Sequence, residues 1–276
     1  MIATTAGRSP TLRCVPNTGL AAACAALALL AGCASHRPDR HVPPYARVPY
    51  APFSRDAAVA IALREWRAFG EHVDDAMPDR EHPVEPEVKP EREQGLWQRV
   101  GDYWWIGMDA GSDESGWTGR NDGDGRVFPA PDDGRYAWSA AFVSYVMRVA
   151  GACDGFPYSA SHWTYVDAAF AQKPRVLLRT ERPEIYAPRP GDLICIGREA
   201  SRGITYDDLP ARFAGHCDVV VDAAPGALTV VGGNVNDAVT MKHVPVTDAG
   251  TLATPDGAVV DPRYRWFVVV RVLYAQ

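Results

Sequence analysis

The stretch Trp138-Ser139-Ala140-Ala141-Phe142-Val143-Ser144-Tyr145-Val146-Met147-Arg148-Val149-Ala150-Gly151 decides the fold. It reads as a buried helix. No Pro or internal Gly interrupts it, Gly151 stands where a C-terminal cap belongs, and a turn-rich run from Pro129 to Gly134 precedes it. Apolar residues occur nearly all round, as in a helix enclosed by protein. Its small polar exceptions are Ser139 at the N-terminal end and Ser144.

Before this helix the chain is helical and after it strand-like. A first helix is expected from Ser54, as N-cap, to Phe69, with Gly70 closing it and Val59, Leu63 and Trp66 as its apolar stripe. Arg64 and Glu65 then fall on the solvated side. A second helix, from about Gly95 to Ile106, carries Trp97, Val100, Tyr103, Trp104 and Trp105 as core aromatics. Between them, Glu71 to Gln94 holds nine acids, three bases and four prolines, the composition of a mobile, solvated insertion. Downstream, Ser159 or Ser161 caps a short helix ending near Lys173, with Trp163, Val166 and Phe170 facing the core. Strands are expected at 176–178, 192–196, 216–221, 227–231, 239–244 and 266–273. Helices first and strands afterwards give an α+β domain, residues 54–276, with N-terminal helices packed on an antiparallel sheet.

The start of the chain differs from the rest. Residues 1–32 contain Arg8 and Arg13, no acid, and an apolar run from Leu20 to Ala31, which is the pattern of a signal peptide and is short for a membrane span. Leu30-Ala31-Gly32-Cys33 resembles a bacterial lipobox. That resemblance implies cleavage before Cys33, its lipidation, and, with Ala34 and Ser35 following, a lipid-anchored place on the periplasmic face of the outer membrane. Residues 33–53, with five prolines, read as a tether. The chain from Cys33 onward carries a net charge of −8 and no basic patch, which argues against nucleic acid as a partner. Cys153, Cys195 and Cys217 remain, and at most one disulfide can form among them. Cys195 and Cys217 are candidates to pair across neighbouring strands. No cysteine or histidine spacing suggests zinc, and Asn121-Asp122-Gly123-Asp124-Gly125 lacks the alternating ligands and distal glutamate of a calcium loop. No metal or other cofactor is expected.

Spacing alone supplies candidate chemistry. Ser139 begins a buried helix, where backbone N–H groups and the positive end of the dipole surround its oxygen. His216 opens a strand in Gly215-His216-Cys217-Asp218, and Asn234 lies beyond the next one in Gly232-Gly233-Asn234. Nucleophile, imidazole and orienting amide make a workable acyl-transfer set. Taken singly each has a plainer reading: Ser139 as a cap, His216 as a strand-end histidine, Asn234 as turn chemistry. Asp218 shares a face with His216 and is an alternative orienter, though two residues along one strand is an awkward reach. Trp138, and His162 at the next helix start, are candidate substrate contacts, with capping or a surface role the alternative for His162. Arg198, Arg202 and Arg212, in the long connection from Arg198 to Ala214, could meet substrate carboxylates, or simply be solvated.

In order, Trp138-Ser139-Ala140-Ala141-Phe142-Val143, Arg189-Pro190-Gly191-Asp192-Leu193-Ile194, Gly215-His216 leading into Val219-Val220-Val221, and Gly232-Gly233-Asn234 resemble the papain-like NlpC and CHAP group of bacterial cell-wall hydrolases. The chain as a whole is similar to a bacterial lipoprotein family catalogued as a domain of unknown function. The resemblance covers about Arg135 to the C-terminus. It implies a papain-like fold and cleavage of peptide or amide bonds in peptidoglycan. The family's cysteine falls on Ser139, its histidine on His216 and its third polar residue on Asn234. Serine is the departure: a thiol near pKa 8.5 ionises beside an imidazole, whereas a hydroxyl needs its proton removed in the transition state. A Ser-His-Asn hydrolase and an inactive domain that binds wall peptides or a partner protein both remain open.

Overall fold

A computed structural model describes residues 52–78, 89–108 and 112–275. The expected signal segment, the expected lipidation site Cys33 and the expected tether up to residue 51 lie outside the described residues, as does 79–88 of the acidic insertion.

Four helices occur in the described chain: α1 Arg55–Ala68, α2 Leu96–Gly107, α3 Ser139–Val149 and α4 His162–Phe170. Ser54 caps α1 by accepting the N–H of Ala57, and Gly70 follows at φ 93°. Six strands follow or flank them: β1 Leu178–Glu181, β2 Leu193–Gly197, β3 Gly215–Ala224, β4 Ala227–Val235, β5 Ala238–Pro245 and β6 Trp266–Val272. They form one antiparallel sheet in the order β1-β6-β2-β3-β4-β5, so the domain is α+β. The last strand thus inserts between the first two.

Both faces of the sheet are covered. On one, α3 packs against α1, α2, β3 and β4, and the shared core includes Phe142, Val146, Leu193, Cys195, Cys217, Val219 and Val231. On the other, Ile194, Val220, Val230, Val244 and Trp266 pack with Val246 and Leu252 from the β5–β6 connection. Burial on both sides explains why β2 reads Leu-Ile-Cys-Ile-Gly, every residue buried, rather than alternating. Cys195 and Cys217 stand opposite each other in the β2–β3 register and form a disulfide. The Pro190-Gly191-Asp192 turn has a structural task as well. The Asp192 carboxylate accepts from the Arg189 and Val272 N–H groups and from the Tyr186 hydroxyl, tying β2 to β6.

Four expectations are corrected, the first being Trp105, which was expected in the core and is 67 % exposed on α2. Glu65 is fully buried, not solvated: its carboxylate accepts from Arg99 Nη1 at 2.7 Å, from the Tyr103 hydroxyl at 2.8 Å and from Arg64 Nε, joining α1 to α2. Two basic groups and two phenols, Tyr103 and Tyr145, supply the partners that make a buried carboxylate tolerable. The described flanks of the acidic insertion are docked rather than free: Val73 bridges to Met241, Asp75 binds His243, and Glu91 is buried. Phe170, at the end of α4, is 43 % exposed and meets the Tyr206 ring at a tilt rather than entering the core.

Candidate active site

Ser139 is the first residue of α3, with Trp138 in the cap position and no side chain capping the helix. The first-turn N–H groups of a helix have no intrahelical acceptor, so this end offers donors to a negatively charged atom. The helix start is fixed from behind. Trp138 is buried, stacks on Phe69, and donates its indole N–H to Glu91 Oε2 at 2.5 Å. Trp138 is therefore a core residue and not the substrate contact expected of it.

The Ser139 Oγ lies 2.8 Å from His162 Nε2. The expected partner was His216; the structure pairs the serine with the histidine that opens α4. One turn on, the Tyr165 hydroxyl meets His162 Nδ1. Burial above all, with His216 and the Arg198 charge nearby adding to it, holds His162 well below the usual histidine value, so it is neutral at pH 7. Burial likewise pushes the Tyr165 phenol up, with Asp218 adding to it, so the hydroxyl keeps its proton. When Nδ1 donates to the tyrosine oxygen, Nε2 carries the lone pair that faces the serine hydroxyl.

A second imidazole stands beside the first: the His162 and His216 ring centroids are 5.3 Å apart. His216 Nε2 is 2.7 Å from Asp218 Oδ1, and Asp218 Oδ2 is 2.6 Å from Lys242 Nζ, all three side chains being buried. The orienting group is thus Asp218, and the reach along one strand is short after all. Asn234, the expected orienter, sits instead at φ 55° in the irregular stretch between Gly232 and Val235. Burial lowers His216 to about 4, against the opposing pull of Asp218. Asp218 is held well below the ordinary carboxylate range because Lys242 and His216 together outweigh the effect of its burial. Neutral His216 therefore donates Nε2–H to a carboxylate, and its Nδ1 is a buried lone pair with no partner among the described residues.

The two glycines of Gly232-Gly233 explain themselves here. A Cβ on Gly232 would fall 1.9 Å from Asp218 Oδ1, and one on Gly233 would fall 2.5 Å from Phe142 Cβ. Gly232 leaves space for the acid–imidazole pair, and Gly233 lets the start of α3 approach the sheet. Of the arginines, Arg198 and Arg202 line a cleft next to the end of β2, whereas Arg212 lies over the Trp163 ring. Spacing alone did not bring out Tyr165, Lys242 or Glu91. The available signals were a His-x-x-Tyr pair at a helix start and a lysine inside an apolar strand, Val239-Thr240-Met241-Lys242-His243-Val244. No cluster of three or more metal-ligating side chains occurs among the described residues.

Residues 91–272 match a family model described as an uncharacterized protein conserved in bacteria, DUF2272. The matched span begins at Glu91 and includes Ser139, His162, His216, Asp218 and Lys242. No curated protein and no solved structure matches the chain. The chain belongs to the DUF2272 family.

Proposed function

We propose that this DUF2272 chain is a papain-like hydrolase of peptide or amide bonds in peptidoglycan, anchored by lipidated Cys33 on the periplasmic face of the outer membrane, with Ser139 as its nucleophile. The observation that carries the reading is the 2.8 Å contact between Ser139 Oγ and His162 Nε2 at an uncapped helix N-terminus. His162 takes the hydroxyl proton as Oγ attacks the carbonyl carbon, and the first-turn N–H groups of α3 receive the oxyanion. The proton then passes to the leaving amine, and water releases the acyl group from Ser139. His162, neutral again, takes the proton of that water and returns it to Ser139 Oγ as the acyl group leaves, while His216, with Asp218 behind it, stands beside the His162 ring. The lipobox supports the location, and the Cys195–Cys217 disulfide suits an oxidising compartment. A nucleophile helix followed by an antiparallel sheet supports the papain-like assignment.

A second reading has its own observation. Ser139, His162 and His216 are 5 %, 4 % and 2 % exposed, and His162 is backed by a phenol rather than a carboxylate. A closed site whose imidazolium lacks a counter-charge suits a domain that binds wall peptides without cutting them. Incubating the purified protein with peptidoglycan separates the two. Hydrolysis predicts soluble fragments from wild type, none from Ser139→Ala, and a rate lowered about 10²- to 10⁴-fold in His162→Ala. Binding without release by wild type, with cleavage appearing only in Ser139→Cys, would establish the second reading instead.

A further inference from the structure

A cleft of about 890 Å³ opens at the end of β2, beginning at Ile196, the residue that pairs with His216 in the sheet register. Four arginines line it: Arg198 and Arg202 from the connection after β2, and Arg263 and Arg265 from the approach to β6. Arg263 is already committed. Its guanidinium binds Asp261 at 2.9 Å and Asp75 at 3.3 Å, which makes it a fixed wall. Arg198, Arg202 and Arg265 are exposed and have no carboxylate partner among the described residues. Of the lining acids, Asp261 is taken up by Arg263 and the Trp266 indole, and Asp74 accepts from Asn236 Nδ2 and the Ala76 N–H. Glu199 remains as the uncommitted acid. Three free guanidinium forks thus converge on a cleft that offers one free carboxylate in return.

We infer that this cleft binds a peptide through its free carboxylates, with Arg198, Arg202 and Arg265 as the reading groups. The planar fork of a guanidinium matches a carboxylate in two parallel hydrogen bonds, which selects this group over a neutral amide of the same shape. The cleft starts one strand from the His216–Asp218 pair, and the Arg198 charge already reaches both His162 and His216. A carboxylate seated on Arg198 would offset that charge and ease formation of an imidazolium nearby. The inference rests on the proposed function for the choice of a wall peptide, and it concerns how that peptide is held rather than whether it is cut.

Titration calorimetry on the purified protein tests it, with a synthetic peptidoglycan stem tripeptide bearing free carboxylates, the same peptide fully amidated, and inorganic phosphate. The free peptide is expected to bind, and amidation to weaken binding about tenfold for each carboxylate lost. The triple variant R198Q/R202Q/R265Q should bind the free peptide about a hundredfold more weakly, while Ser139→Ala binds it as wild type does. Equal affinity for the amidated peptide, an unaffected triple variant, no binding by wild type, or displacement by phosphate at peptide-like concentration would each overturn the inference. The arms separate the two ideas. Arginine-dependent binding by a protein that releases nothing from peptidoglycan sinks hydrolysis alone, and cleavage with indifference to amidation sinks the carboxylate cleft alone.

Discussion

At the scale of single residues, the chemistry turns on which histidine faces Ser139 and which acid faces His216. Sequence order put His216 against the serine and Asn234 behind it; folding put His162 there and Asp218 behind His216. The reason is geometric. His162 opens a helix and Ser139 opens another, and the meeting of two helix starts leaves no periodic trace in the chain. Lys242 is the least expected participant, a buried ammonium whose charge is balanced by Asp218 and which also lies 5.3 Å from the Tyr264 ring. Replacing it as Lys242→Met leaves the Asp218 carboxylate buried with only a neutral imidazole beside it. Unfolding in urea should show a loss of about 3–5 kcal/mol. The same change removes a cation that lowers His216 and frees Asp218 to act on it alone, so the His216 midpoint should climb from about 4. Histidine NMR titration reads this directly; an unmoved midpoint would mean that Lys242 does not act through Asp218.

At the scale of elements, the helices and strands were largely legible, because their apolar periods are long and their caps local: Ser54, Gly70 and Gly151 all stand where the chain turns. The irregular pieces were not. The short turn at Pro90–Arg92 places Glu91 under Trp138, and nothing in an acidic, proline-rich run signals that one of its glutamates is buried. Elements are also held by cross-links whose consequences can be measured. The Cys195–Cys217 bond joins β2 and β3 beside His216, so Cys195→Ala with Cys217→Ala should lower stability by about 2–4 kcal/mol in non-reducing urea melts. Wild type treated with reductant should follow the variant. Gly232 tests the contact between β4 and the Asp218–His216 pair. Gly232→Ala should displace Asp218, because its methyl would meet that carboxylate at 1.9 Å. The expected result is a stability loss of about 1–3 kcal/mol with a shifted His216 titration. A stable variant with unchanged titration would show that the strand yields instead.

At the scale of the whole molecule, the α+β class followed from the order of helices and strands, but the sheet order did not. β6 lies between β1 and β2, and a pairing that joins the two ends of the sheet-forming region is set by packing on both faces rather than by any local run. Long-range placement also sets how stability responds to pH, through two buried groups shifted in opposite senses. His216 is lowered from 6.5 to about 4 by burial, so the folded state binds fewer protons than the unfolded chain in that window. Its contribution is present above pH 6.5 and is lost as pH falls toward 4. Glu91 is raised from 4.5 to about 8, by burial first, then by Asp237 and Asp133, against the opposing Trp138 N–H. Its contribution is present below pH 4.5 and is lost as pH rises through 8. Between 4.5 and 6.5 the two trends oppose each other, and above 6.5 only the glutamate term of this pair still changes. Melting temperatures recorded from pH 4 to 9 for wild type and Glu91→Gln should therefore diverge as pH rises, because His216 is common to both proteins and cancels. The wild type should weaken from about pH 4.5 to 8 relative to the variant, whose uncharged amide has no proton to lose and can still accept from Trp138. Parallel curves across that range would mean that Glu91 is ionised in the folded protein, with its charge stabilised by groups other than the Trp138 indole.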